Sequence, residues 1–194
     1  MRVIAGTWKG RRLKSPASDA VRPTTDRVKE ALFSILGPDV TGSLFVDLCC
    51  GAGGLGIEAL SRGAAGAIFV DQAPQSLNSA RANLEICGAD FEQIQLVKAN
   101  AVSWLEGFRP PEDGRRWIMV ADPPYLSGTA GAIMVGLARL ASDPGLAAAV
   151  IEHGPRTPDL PGHQEGFLTW TIRRYGESRL AVARPPQPVV NEGE

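Results

Sequence analysis

From residue 44 onward, short apolar runs and helix-period segments alternate along the chain. Leu44, Phe45, Val46 and Leu48 make a run of strand length, broken by the single acid Asp47. Residues 67–71, 94–98, 117–121 and 147–152 repeat that length, each bounded by Gly, Pro or polar positions. Between them lie helix-period segments: one opening at Leu55 and closed by Gly63, one from Pro74 to Gly88, a short one through Trp104, and one over 130–141. This alternation predicts βαβ units with right-handed crossovers and a parallel sheet. After His153 the pattern changes. Pro and Gly crowd residues 154–166, then 167–173 and 178–184 read as two strands with no helix between them, an antiparallel hairpin added to the sheet edge. Upstream, Val28, Ala31, Leu32 and Ile35 mark one helix, with Thr and Asp before it as caps and Gly37-Pro38 as its stop. Residues 2–7 and 11–14 read as a small hairpin with Trp8 near its tip. The expected organisation is a basic amino-terminal hairpin or arm at 1–21, one α/β domain with a mostly parallel seven-stranded sheet at 22–184, and a disordered tail at 185–194.

The 194 residues suit one domain of ordinary size. No apolar run approaches the roughly 20 residues of a membrane span, and the amino terminus lacks a signal peptide's apolar core, so a cytoplasmic protein is expected. Cys49, Cys50 and Cys87 are odd in number and lack CxxC spacing, which predicts small buried thiols rather than a disulfide or metal framework. The two histidines, His153 and His163, sit in no ligand-like cluster, and no metal is expected. Charge is unevenly spread. Residues 1–29 hold eight Lys and Arg against two acids, a net +6, leaving −7 for the remainder of a chain whose total is −1. A basic segment on an acidic body suits a polyanion partner. Arg2, Lys9, Arg11, Arg12, Lys14 and Arg22 are its candidate phosphate contacts. Packing against the body is the expected role of Trp8.

Two stretches carry candidate chemistry. Gly51-x-Gly53-x-x-Gly56 follows the first strand and opens a helix, the build of a nucleotide-binding loop. Asp71 ends the next strand, where a ribose-binding acid is expected, so an adenosine-type cofactor is indicated. The second stretch is Asp122-Pro123-Pro124-Tyr125, directly after the fourth strand. Two prolines fix φ and remove N–H donors, leaving carbonyl acceptors beside the Asp122 carboxylate and the flat face of Tyr125. Acceptors beside an aromatic plane suit a planar group bearing an exocyclic NH₂.

Together these features resemble class I S-adenosylmethionine-dependent methyltransferases of the exocyclic-amine type, and the fold implied is Rossmann-like. Three longer stretches look like the RsmD family: Arg2 to Leu13, Arg22-Pro-Thr-Thr-Asp-Arg-Val-Lys-Glu-Ala-Leu-Phe33, and Gly56-Ile-Glu-Ala-Leu-Ser-Arg-Gly-Ala64. Members of that family methylate N2 of one guanine in bacterial small-subunit rRNA. The resemblance implies that Asp47, Cys49, Gly51 and Gly53 meet the methionine and ribose portions of the cofactor. Asp71 and Gln72 would flank the ribose, Asn100-Ala101 the adenine, and Asp122 both cofactor and target base. Asp122, Pro123, Pro124 and Tyr125 are the catalytic candidates, and Arg22 and Thr24 would border cofactor and RNA. A monomer acting on 16S rRNA or an assembling subunit is expected. The chain departs from the family at Cys49-Cys50, Ala52 and Asn100, where Phe-Ala, Ser and Asp are usual. Three other readings stay open: a nicotinamide oxidoreductase, a methyltransferase for DNA adenine N6 or protein glutamine, and a non-catalytic RNA-binding module.

Overall fold

A computed structural model of the chain describes residues 1–15, 25–124, 128–155 and 169–185. Seven strands, β1 (Leu44–Leu48), β2 (Gly66–Asp71), β3 (Ile94–Lys98), β4 (Trp117–Ala121), β5 (Leu146–His153), β6 (Thr169–Tyr175) and β7 (Ser178–Arg184), form one sheet in the order β3-β2-β1-β4-β5-β7-β6. The five strands from β3 to β5 are parallel, and β7 pairs antiparallel with both β5 and β6. The helices are α1 (Asp26–Leu36), α2 (Gly54–Ser61), α3 (Pro74–Cys87), α4 (Ala101–Gly107) and α5 (Thr129–Ala138). This is the expected mixed α/β architecture. Two 3₁₀ turns, 37–40 and 91–93, join it without a counterpart in the hydrophobic pattern, because three or four residues are too few to show a period; of them only Val40 is buried. Strand β6 runs two residues beyond the predicted 173, and positions 167 and 168 lie outside the described residues. So do Arg22, Thr24, Tyr125, His163 and residues 186–194 of the predicted tail.

Alternation along each strand divides the core into layers. Val46, Leu48, Met119, Ala121, Ala149, Ile151, Ala181 and Ala183 face one side with α4 and α5. Phe45, Ile118, Val120, Ala148, Val150, Leu180 and Val182 face the other against α1. Ala67 and Phe69 of β2 meet Ile57 of α2 and Leu84 of α3 there. Strands β4 and β5 are buried along their whole length, as continuous apolar runs in a sheet covered on both faces must be. Local signals agree with this placement. Thr25 caps α1 by accepting the Val28 N–H at 3.3 Å, Pro74 starts α3, and Gly88 ends it in the left-handed region.

The basic amino-terminal segment is built into this body. Arg2 and Arg12 form an antiparallel bridge, and Val3 and Leu13 bury their side chains with Ile57, Phe69 and Leu84. Trp8 packs against the same cluster, as expected. Glu58 of α2 organises the contact: its carboxylate accepts the N–H groups of Ile4 at 2.7 Å and Ala5 at 2.9 Å, Arg62 Nε at 2.8 Å, and faces Lys29 Nζ at 3.3 Å. Both Glu58 and Lys29 are buried, and burial lowers the Lys29 pKa while Glu58 opposes that shift. The chain passes so near α2 at Gly6 that a Cβ there would lie 1.7 Å from the Ser61 carbonyl oxygen. Only glycine fits.

Candidate active site

The carboxyl ends of β1, β2, β3 and β4 converge on one side of the sheet, at the reversal of strand order between β1 and β4. A cavity of about 260 Å³ opens there, lined by Cys49 and Gly51 after β1, Asp71 and Gln72 at the end of β2, Asn100 and Ala101 after β3, and Asp122 and Pro124 after β4. Eight predicted site residues from four separate loops thus share one wall. Ala73, Ser76, Ala99 and Thr129 complete it, and the residue-by-residue reading omitted them. Ser76 and Thr129 belong to the first turns of α3 and α5, so extending the carboxyl-edge rule to every helix start would have found both. A larger hollow of about 660 Å³ lies at the opposite end of the sheet, lined by Leu44, Gln93, Trp104, Phe108, Arg109 and Arg115 among others. It contains none of the predicted site residues. Volume alone is a poor guide here.

The glycine loop owes its shape to two carboxylates. Asp71 Oδ2 accepts the Gly51 N–H at 2.9 Å while its Oδ1 accepts the Ala73 N–H at 2.9 Å, clasping the β1 and β2 loops together. Each oxygen keeps a further lone pair for a ligand hydroxyl. Asp47 lies beneath, fully buried on the α2 side of β1, and accepts the Gly56 N–H at 2.9 Å. That bond holds the helix start, and Asp47 is not part of the cavity wall. Burial pushes its carboxyl up to about 7, against the lowering effect of the Gly56 hydrogen bond. Gly53 caps α2 with φ 80°, and Gly56 lets helix meet strand: a Cβ there would lie 2.3 Å from the Phe69 ring.

Cys49 takes φ 61°, an unusual conformation for a side chain with a Cβ. Cys49 lines the cavity, and its thiol is pushed up to about 12, first by burial and then by the charges of Asp71, Asp47 and Asp122. Cys50 is buried below and shifted up for the same first reason. All three cysteines are free thiols, as expected, and none is activated. Asn100 caps α4, its Oδ1 accepting the N–H groups of Val102 at 3.0 Å and Ser103 at 3.3 Å. The amide nitrogen remains to donate toward a ligand. Asp122 is half-buried, Pro123 buried and Pro124 exposed. The Asp122 N–H donates to the Leu48 carbonyl at 3.4 Å, which ties the turn after β4 to the end of β1.

The candidate RNA contacts divide. All five described ones are exposed, but Arg2 also pairs with Asp26 at 2.9 Å and Arg11 donates to the Ile86 carbonyl, whereas Lys9 and Arg12 form no ion pair among the described residues. Lys14 is fixed through its backbone: its N–H donates to Asn83 Oδ1 at 2.8 Å and its carbonyl accepts Asn83 Nδ2 at 2.9 Å. Asn83 Nδ2 also donates to the Ala52 carbonyl at 2.9 Å, so the basic segment and the glycine loop hang on one side chain. Among the described residues no group of three or more His, Cys, Asp and Glu could hold a metal ion, and no helix is long and apolar enough to cross a membrane.

A family model described as "Conserved hypothetical protein 95" matches residues 1–184. A Bacillus subtilis protein named "Putative rRNA methyltransferase YlbH" is 43% identical over 125 residues, 64% of this chain and 67% of its own. "Ribosomal RNA small subunit methyltransferase D" of Escherichia coli K12 is 39% identical over 128 residues, 66% of this chain and 62% of its own. The aligned stretches therefore span about two thirds of these curated relatives' lengths or slightly less. A solved Escherichia coli structure, "Putative methyltransferase yhhF", is 30% identical with a TM-score of 0.73, covering 96% of this chain and 99% of that one. An RNA methyltransferase from Salinibacter ruber, solved with S-adenosyl-L-homocysteine, shares the fold at 14% identity and a TM-score of 0.58, over 88% of this chain and 98% of its own.

Proposed function

The chain belongs to the family described as conserved hypothetical protein 95, the RsmD family, and from that premise we propose that it methylates a guanine N2 in small-subunit rRNA, using S-adenosylmethionine. The observation that carries this reading is the shared wall of one cavity. Asp71 and Asn100, suited to an adenosine, and Asp122 and Pro124, suited to an exocyclic amine, line the same space. The names of the curated relatives support rRNA as substrate. A monomer working on rRNA or an assembling subunit is part of the same reading.

The donor set fits the cofactor. Asp71 holds the ribose hydroxyls with the lone pairs left over from Gly51 and Ala73. Asn100 offers its amide donor to a ring nitrogen of adenine, with Ala101 beside it; its carbonyl oxygen is already engaged by the helix start. Cys49, Gly51 and Gln72 line the space left for the remainder. Asp47 and Gly53 act from beneath by fixing the loop. When bound, S-adenosylmethionine supplies an electrophilic methyl group. The protein's task is then alignment, the term that contributes most when one reactant is already activated.

A guanine N2 lone pair is delocalised into its ring and is a poor nucleophile. Asp122 and the Pro123 carbonyl accept its hydrogens, favour a pyramidal nitrogen and stabilise the positive charge that develops on it. Tyr125 stacks on the base, which must leave its own stack to enter. No strong base is required, because the methylated nitrogen loses its proton readily. Asp122→Ala is expected to abolish methyl transfer from labelled donor to rRNA while leaving S-adenosylmethionine affinity, measured by calorimetry, nearly unchanged. Equal loss of both would remove Asp122 from the amine-facing role.

A further inference from the structure

We propose that the carboxyl-edge end of the β7–β6 hairpin, carrying Arg174 and Arg179, is a phosphate track for the unpaired RNA strand flanking the target base. This rests on the rRNA reading above and adds a surface that the basic amino-terminal segment does not include. The hairpin carries four arginines and one glutamate between residues 169 and 184. Their placement is unequal. Arg184, at the end remote from the cavity, is tied in by Asp39 and by the Ile35 carbonyl at 2.8 Å. Arg173, Arg174 and Arg179 lie at the cavity end, and among the described residues none of the three forms an ion pair.

Register places two of these cations together. Arg174 pairs directly with Arg179 across β6 and β7, and Arg179 pairs with His153 at the end of β5. Alternation puts all three on the face that carries Ala149, Ile151, Ala181 and Ala183. On β4, Ala121 pairs with Ile151, so the Asp122-Pro123 turn leaves the sheet beside Glu152 and His153. The row His153–Arg179–Arg174 therefore starts at the amine-facing turn and runs outward to the sheet's edge. His153 is buried, Arg179 half-buried and Arg174 exposed, a gradient that opens to solvent away from the cavity. Ile172, an exposed large apolar side chain, follows on the same face and leaves open surface beside Arg174.

Like charges directly opposite on neighbouring strands destabilise a sheet. No described carboxylate forms an ion pair with either arginine, and a phosphate backbone would relieve the repulsion between them. Guanidinium groups suit that partner, because their planar forks bind phosphate oxygens in pairs. Track and turn together would hold the strand on the side from which the base is delivered.

The test is kinetic, with an Arg174→Gln/Arg179→Gln double variant and small-subunit rRNA as methyl acceptor. The expected result is a KM for RNA raised about tenfold near physiological salt, with kcat and the KM for S-adenosylmethionine unchanged. The slope of log affinity against log salt should fall by about 1.4, two single-strand phosphate contacts. Arg174→Lys/Arg179→Lys should keep most of the slope. Wild-type protein that neither binds nor methylates the RNA would overturn the rRNA reading and the track with it. Wild-type protein that does both, beside a double variant with unchanged KM and slope, would overturn the track alone. Edge arginines also keep strands from pairing with other chains. A double variant that self-associates while its RNA kinetics stay at wild-type values would assign them that duty and reject the track.

Discussion

In the amino-terminal segment and first helix, three of the cations are taken up by the fold, while Lys9 and Arg12 stay exposed. Arg2 is held by Asp26, Arg11 reaches the Ile86 carbonyl, and Lys29 is buried against Glu58. In the β7–β6 hairpin the opposite holds at the cavity end, where Arg173, Arg174 and Arg179 have no ion pair among the described residues. Counting charge along the chain picks out the first region, with its net +6 over residues 1–29. Counting charge that is free to meet a ligand brings in the second. A basic stretch thus measures potential for binding only after the cations that hold the stretch in place have been subtracted.

That contrast can be broken most forcefully at Glu58. Glu58→Ala leaves Lys29 buried without its anion and removes the acceptor for Ile4 and Ala5. Losing one partner of a buried pair costs about 3–5 kcal/mol. Thermal unfolding should show that loss, and limited proteolysis should cut within residues 1–15. A variant of wild-type stability would mean that the segment's cations are not structural.

The second effect concerns pH. Asp47 keeps its proton up to about 7 in the folded chain, above the ordinary carboxylate range it has when unfolded. The folded state therefore binds the extra proton, and its stabilisation is complete below about pH 4 and lost as pH rises through 7. Asp47→Asn keeps an acceptor for the Gly56 N–H and should remove that slope, raising stability at pH 8 by up to about 4 kcal/mol. Parallel stability curves for wild type and variant between pH 4 and 8 would contradict the buried position of the carboxyl.

Smaller effects separate the two basic regions further. Arg174→Gln/Arg179→Gln relieves a like-charge pair and should stabilise the fold by roughly 0.2–1 kcal/mol in chemical denaturation. Arg2→Ala breaks an exposed pair with Asp26 and should cost below about 0.5 kcal/mol. Reversal of those two signs would dissolve the distinction between consumed and available charge.

Much of the fold is written locally. Strands β1, β3, β4 and β7 fall where their apolar runs predict, and α3 lies between Pro74 and Gly88 because both residues act on their own backbone. The site's outline is legible for a related reason, since the carboxyl ends of parallel strands must share one edge. Other features depend on what faces what. Asp47 interrupts one apolar strand and Asp71 ends the next, yet one holds a buried helix start and the other lines the cavity. Asn100 reads as an adenine contact, while its oxygen is spent capping α4. The Arg174–Arg179 pair exists only through the register of two antiparallel strands. No local spacing encodes such pairings.

The most direct test of the central claim is to incubate the purified protein with unmodified small-subunit rRNA, or particles containing it, and labelled S-adenosylmethionine, then digest the RNA and locate the methyl group by mass spectrometry. A single N2-methylguanine, absent when Asp122→Ala replaces the wild-type protein, is the expected result. Label on another base or on protein, or a guanine methylated equally by both proteins, would contradict it.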